Sequence, residues 1–421
     1  MYMCQFCLGL TLILGISGVA SADHPNEGKV VISQLIEEAE NNSLEIKETE
    51  ENLTSLKSKL NSQYGHLSPK ISIEGGPQST KFDDEKSNDS SIYGKAEWNL
   101  YSGGSDKSLI DLSKSEIEIQ EKRLRSLKNK VKREVSKVYF ELQFILESVA
   151  LKQKALELNS QQMKIAKAKN SSGFTTSSDV LEFDLRDSTL QSDLVLLNQK
   201  LEQKLGDLNV LLSRRNHEPQ EAVKGHLIRE AFNFNRDELL AKLQNGNDQL
   251  LLSKIELQQV ESEKRQAKSQ LLPKLDLEAR YGKLATDEKV FNDRNNYSVM
   301  LKLNIPLFSG FEDYNAVKSV NAKIAASQMA IDQKNISLTA DLDATLAEIK
   351  ALNARLDLEE QNIERSEKYY KLTLDEYRRG VKNSPDMVGA SERLLEARIR
   401  NLEYRRDLML ANAKIQEITG E

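Results

Sequence analysis

Cysteine is almost missing from this 421-residue chain: there are two, Cys4 and Cys7, both within the first seven residues. Everything downstream therefore lacks a thiol nucleophile, a disulfide framework and a cysteine-based metal site. Proline (7) and glycine (19) are scarce, aromatics make up 6% of residues and charged residues 29%. That balance points to long charged helices rather than a sandwich or a disordered chain. The four histidines, His24, His66, His217 and His226, are scattered. No glycine-rich phosphate loop follows a strand pattern and no Ser-His-Asp order stands out, so no enzyme, cofactor or metal is expected. The net charge of −6 gives nucleic acid no general footing as a partner. The one basic run, Glu121 to Lys137, keeps apolar residues at helical spacing and reads as a solvated helix face.

What is present begins with an apolar stretch from about Phe6 to Val19 that ends in Ala20-Ser21-Ala22. It has the form of a secretory signal cut after Ala22, although no Lys or Arg precedes it. No other apolar run reaches the ~18 residues of a membrane helix. The rest is doubled. "WNLYSGG" at Trp98 to Gly104 returns as "NIPLFSG" at Asn304 to Gly310, and Gly103 aligns with Gly310 at an offset of 310 − 103 = 207. Residues 1–22 are thus a signal, 23–215 a first repeat and 216–421 a second.

Each repeat contains one pair of alternating segments. In the first, Ile92, Gly94, Ala96, Trp98 and Leu100 share one face, and Tyr93, Lys95, Glu97 and Asn99 the other. In the second, Leu275, Leu277, Ala279 and Tyr281 oppose Asp276, Glu278 and Arg280, while Val299, Leu301 and Leu303 oppose Lys302. Strands of ~10 residues with one greasy and one charged face suit a barrel wall between lipid and water. The polar stretches Pro77 to Ser90 and Ala285 to Asn295 are expected to be exposed loops on the cell exterior.

The remainder is helical. Ile117, Leu124, Val131, Val138 and Ile145 recur every seven residues, as do Leu142, Val149, Leu156 and Met163. The second repeat answers with Val317, Ile324, Ile331 and Leu338, then Leu342, Ile349, Leu356, Ile363, Tyr370 and Tyr377. This is a coiled-coil seam. Two helices of about 100 Å follow, Asp106 to Asn170 and its counterpart. Four helices of half that length flank them, over residues 30–63, 179–213, 227–270 and 387–419. The turns at 170–179 and 379–386 close one end.

Four strands cannot close a barrel, and an open edge in lipid costs several kcal/mol per unpaired backbone group. The chain must therefore associate with copies of itself: two would give eight strands with a filled interior, three would give twelve around a water-filled pore. Such a pore needs Lys95, Glu97, Asn99, Asp276, Glu278, Arg280 and Lys302 facing inward. Pro306 then falls where the strand runs out, and Gly103 and Gly310 supply the bends into the helices.

With these features assembled, the chain resembles the TolC-like outer-membrane efflux protein family across nearly all of its length after the signal. "LLPKLDLEARYG", "NIPLFSG", "WNLYSGG" and the G-x5-D turns Gly173/Asp179 and Gly380/Asp386 carry the resemblance. It implies an α+β membrane protein of the cell outer membrane. In that picture a homotrimer forms a twelve-stranded β-barrel continuous with a periplasmic α-helical tunnel. It would serve as the exit duct of a tripartite efflux pump or a type I secretion system, with a periplasmic adaptor and an inner-membrane transporter as partners. At the inner end the resemblance implies an acidic ring of Asp386, with Gly389 where a second ring residue is common. It also implies a latch in which Asp179 accepts bonds from Lys382 and Tyr377. Two blander readings stand beside these: Asp179 and Asp386 as helix caps, and the whole chain as a coiled-coil structural protein of the envelope.

Overall fold

The computed structural model describes residues 27–82, 85–214, 225–230, 232–285 and 296–420. The expected signal and residues 286–295 of the second expected loop lie outside them. The first repeat runs α1 (Glu27–Asn42), α2 (Leu44–Gly65), β1 (Lys70–Phe82), β2 (Glu85–Tyr101), α3 (Ser105–Ser171) and α4 (Ser177–Leu211). The second runs α5 (Arg236–Gly246), α6 (Asp248–Ser269), β3 (Lys274–Ala285), β4 (Asn296–Asn304), α7 (Glu312–Arg378) and α8 (Ser384–Thr419). The helices α3 and α7 are both 67 residues long and start 312 − 105 = 207 residues apart, about 100 Å each at 1.5 Å per residue. No described helix is long and apolar enough to cross a membrane.

Two of the expected half-length helices are broken. The stretch 30–63 divides at Ser43, whose Oγ accepts the Ile46 N–H at 3.3 Å. The stretch 227–270 becomes helical only at Arg236 and divides at Asn247, whose Oδ1 accepts the Leu250 N–H at 2.9 Å. Each break is a helix cap in mid-sequence, where a short polar side chain takes over an N–H that the preceding turn cannot. The two caps are 247 − 43 = 204 residues apart. Residues 225–230 form a strap instead of a helix. Leu227 is buried; its N–H donates to Glu147 Oε1 of α3 at 2.6 Å, and its carbonyl accepts from Arg405 of α8 at 3.1 Å. Arg229 then reaches Asp357 at 2.6 Å and Glu360 at 3.0 Å on α7. Side chains of α3 and α8 satisfy the Leu227 backbone and α7 holds the Arg229 side chain, so the strap needs no helix of its own there.

Packing orders the helices. α3 lies against α1, α2 and α4 on one flank and against α6 and α8 on the other; α7 packs on α6 and α8. Val131, Val138, Ile145, Leu142 and Val149 form the first core with Leu201 and Leu208 of α4. Leu342, Ile349 and Leu356 form the second with Leu408, Ala411 and Ile415 of α8. Toward the turn end of α3 the seven-residue stripe slips: Leu156 and Met163 are half-buried while Ala155, Asn159, Gln162 and Ala166 are buried. A 3.6-residue helix drifts about 20° per heptad against a 3.5-residue stripe, so the facing position passes to a neighbour.

The strands form one antiparallel sheet in the order β1-β2-β3-β4. The β1–β2 ladder runs without interruption from Lys70 opposite Glu97 to Phe82 opposite Glu85. Pro77 to Ser90 is thus mostly a β-ribbon and not a loop. Backbone hydrogen bonds hold it together irrespective of side chain. The outer edges of β1 and β4 pair with no described strand.

Candidate channel lining and tip

Register puts the expected residues on one face. Lys95 lies opposite Arg280, Glu97 opposite Glu278, Asn99 opposite Asp276, and Asp276 in turn opposite Lys302. Lys95 Nζ pairs with Glu97 and, at 3.3 Å, with Glu74; Arg280 pairs with Glu278. Glu74 also accepts the Tyr93 hydroxyl at 3.0 Å, and the Arg280 guanidinium stands 5.2 Å from the Tyr93 ring centroid. Glu74 and Tyr93 are therefore members of the charged face that the sequence reading left out of the site. The alternation of Ile71 and Ile73 already implied that Glu74 faces the other way. On the opposite face Ile71, Ile73, Tyr281, Tyr297, Val299, Leu301 and Leu303 are all exposed.

At the foot of the strands the chain turns into helix through left-handed backbone. Gly103 has φ 68° and Gly310 φ 66°. A Cβ on Gly103 would sit 2.6 Å from the Ser269 carbonyl oxygen and 2.9 Å from Leu272 Cβ, so the close approach of the α6–β3 junction also demands glycine there. Pro306 lies beyond the last ladder pair, Lys274 with Asn304, where no N–H is needed.

At the other end α3, α4, α7 and α8 converge. Ala166, Phe183, Tyr377, Met387 and Val388 form a buried cluster, with Phe183 and Tyr377 edge to face at 5.9 Å. Asp179 accepts from both threonines before it and from the far turn. Its Oδ2 takes the Thr175 hydroxyl, the Thr176 N–H at 3.2 Å and the Thr176 hydroxyl at 3.0 Å, while Oδ1 takes the Ser384 N–H at 3.3 Å. The Thr175 hydroxyl bond, with those of Thr176 and Ser384, holds the carboxyl down at about 2 against the cost of burial. One anion thereby serves the N-termini of two helices, α4 and α8. One cation serves two C-termini: Lys169, in the last turn of α3, donates to the Tyr377 carbonyl near the end of α7 and lies 4.4 Å from the Tyr377 ring centroid.

The expected three-way bond among Asp179, Lys382 and Tyr377 is not formed within the chain. Asp179 is occupied by its four donors. Lys382 Nζ lies 3.8 Å from Asp386, four residues on. The buried Tyr377 hydroxyl faces the Ser384 hydroxyl rather than Asp179 or Lys382; burial pushes its titration up and the Ser384 hydroxyl partly offsets this. Asp386 is not the cap of α8; Asn383 is, through a 3.3 Å bond from the Asp386 N–H. Lys169, Thr175 and Ser384 were missed because only the folded tip brings them to these partners. Among the described residues no group of His, Cys, Asp or Glu is arranged to hold a metal.

The sequence model described as outer membrane efflux protein matches residues 35–214 and 239–421. Solved structures agree in fold. CusC is 14% identical with a TM-score of 0.82, over 93% of this chain and 92% of that one. The outer membrane protein VceC of Vibrio cholerae is 14% identical with a TM-score of 0.81, over 94% and 98%. The CmeC outer membrane channel of Campylobacter jejuni is 16% identical with a TM-score of 0.79, over 97% and 90%. No curated protein matches the sequence.

Proposed function

Because this chain belongs to the outer membrane efflux protein family, we propose that three copies close into a twelve-stranded barrel and a helical tunnel. In this reading the assembly is the exit duct through which an inner-membrane transporter and a periplasmic adaptor discharge substrates, in a tripartite pump or a type I secretion system. The observation that carries it is the sheet: one face is charged, the other exposes Ile71, Ile73, Val299, Leu301 and Leu303, and both edges are open among the described residues. A four-stranded sheet with these properties is complete only when joined to copies of itself, greasy face to lipid and charged face to water.

The tip is then the constriction. Three copies of Asp386 ring the axis, each with a lysine four residues before it, and the Asp179–Ser384 and Lys169–Tyr377 ties hold each chain's two hairpin turns together. Such weak ties suit a gate that must yield to a partner's binding energy. The experiment is reconstitution into planar bilayers beside gel migration of outer-membrane fractions with and without heating. Discrete conductance steps and heat-modifiable migration are expected. Their joint absence would leave a structural coiled-coil rod as the better description.

A further inference from the structure

The internal repeat is accurate enough to serve as a template. Helices α3, α4 and the strand before them map onto the second repeat at +207, and α2 with β1 at +204. Salt bridges obey the mapping. Lys59–Glu116, between α2 and α3, becomes Glu263–Lys323, between α6 and α7, with the signs exchanged. Lys152–Asp193, between α3 and α4, becomes Glu359–Arg400, between α7 and α8, again reversed. Pairs that keep position but swap charge are real structural equivalents and not accidents of alignment.

Within the chain the second repeat packs on the first through α3 against α6 and α8. Midway along, Asp248, only 6% exposed, accepts Asn129 Nδ2 at 3.1 Å and lies 3.4 Å from Arg125 Nε, while Arg133 pairs with Glu417. The same mapping carries Asn129 to Ile336, Arg133 to Ala340, Asp248 to Leu44 and Glu417 to Val210, while Arg125 becomes Asp332. Three of these are large apolar side chains left bare: Leu44 is 73% exposed, Ile336 65% and Val210 77%. They lie on α7, which packs on α5, α6 and α8, and on α2 and α4, which pack on α3, with α4 also touching α8; their own side chains stand clear of these contacts.

We propose that Ile336 of one copy seats on Leu44 of the next, with Ala340 beside Val210 and Asp332 at the rim, as an apolar clasp between chains in the register that Asn129 and Asp248 hold within a chain. The proposal rests on the trimeric reading above and assigns its seam. The exchange of polar for apolar follows from what each contact must do. Inside a chain, a buried carboxylate is tolerated because its donors fold with it. Between chains, association must strip water from both surfaces, and apolar pairs release it at no desolvation cost. The exchange also fixes which flank meets which. The α6 flank is already covered within its own chain by α3 and α7, with Asp248 satisfied by Asn129 and Arg125. The bare Ile336 of α7 therefore finds its open apolar counterpart on the first repeat of another copy, a head-to-tail contact that can close into a ring.

The strand edges follow the same template. Glu97 opposite Glu278 maps to Asn304 opposite Glu74 of the next copy. Lys302 is then brought diagonal to that Glu74, as Lys95 is within the chain.

The test uses the full chain in outer membranes, with Cys4 and Cys7 changed to Ser, carrying Leu44→Cys and Ile336→Cys and treated with a short bifunctional thiol reagent. Two- and three-chain species are expected. Leu44→Cys with Met329→Cys, two helical turns or about 10 Å out of register, should give neither. Absence of crosslinks from the first pair, or equal crosslinking of both, overturns the seam. Amine-reactive crosslinking of the same membranes separates the two claims: a three-chain species there with no thiol product discards the register alone, whereas single chains throughout discard the trimer as well.

Discussion

The carboxylate of Asp179, in the first turn of α4, accepts the backbone N–H of Ser384, the first residue of α8, at 3.3 Å. This bond joins the two hairpin turns of the tip, and it makes Asp179 a cap for a helix 205 residues away as well as for its own. Asp179→Ala should cost about 1 kcal/mol locally, as loss of a capping side chain does. Amide exchange at Thr176 and Ser384 should then be about fivefold faster, with the barrel ladders unchanged.

The same carboxyl sets a pH window. Its folded value, about 2, lies below its ordinary 3.8. A lowered folded value means that the ionised form stabilises the tip, fully at pH above the ordinary value and less as pH falls through the folded one. The protection factor of the Ser384 amide, its exchange relative to an unstructured amide at the same pH, should therefore be steady down to about pH 4 and fall toward pH 2. In Asp179→Ala that fall should vanish.

Of the two lysines near the tip, Lys169 is the one that ties helices together. Lys169→Ala removes a charge-assisted bond to the Tyr377 carbonyl and a cation over its ring, together about 1 kcal/mol. Resting single-channel conductance or open probability should rise severalfold. Lys382→Ala breaks only a 3.8 Å exposed pair with Asp386 and should change gating less than twofold. Equal effects from the two would show that the ties of Lys169 do not restrain the tip.

The polarity exchange at the seam can be undone in steps. Leu44→Asp alone should lower the yield of three-chain species about tenfold or more, because a carboxylate is then buried against Ile336 of the next copy. Adding Ile336→Asn restores the kind of pair that Asn129 and Asp248 make within the chain and should recover part of the loss.

Much of this was legible in the sequence because it rests on local periodicity. The alternation around Lys95 and Arg280 and the seven-residue stripes of α3 and α7 name their own faces, so both long helices and all four strands were found. The breaks at Ser43 and Asn247 were not, since a single cap inside a helix-forming stretch leaves the periodicity on either side intact. Residues 227–230 read as helix because their true partners, Glu147, Arg405, Asp357 and Glu360, are distant in sequence. The β-ribbon beyond Pro77 escaped because ladder bonds are indifferent to side chain. At the tip the family resemblance joined Asp179 and Tyr377 to Lys382, whereas within the folded chain Tyr377 meets Lys169. The choice between Lys382 and Lys169 depends on which helix end lies nearest the Tyr377 carbonyl, and only the folded bundle decides that.

The central claim is that the face bearing Lys95, Asp276 and Arg280 lines a water-filled pore while the face bearing Leu277 meets lipid. Cysteine placed at Asp276 or at Leu277, with Cys4 and Cys7 changed to Ser, tests it during single-channel recording with a charged, membrane-impermeant thiol reagent. Asp276→Cys should react and lower the conductance stepwise, once per chain, and Leu277→Cys should remain inert. Reaction at Leu277→Cys with none at Asp276→Cys would mean that the sheet is inside out and that the proposed channel does not exist in this form.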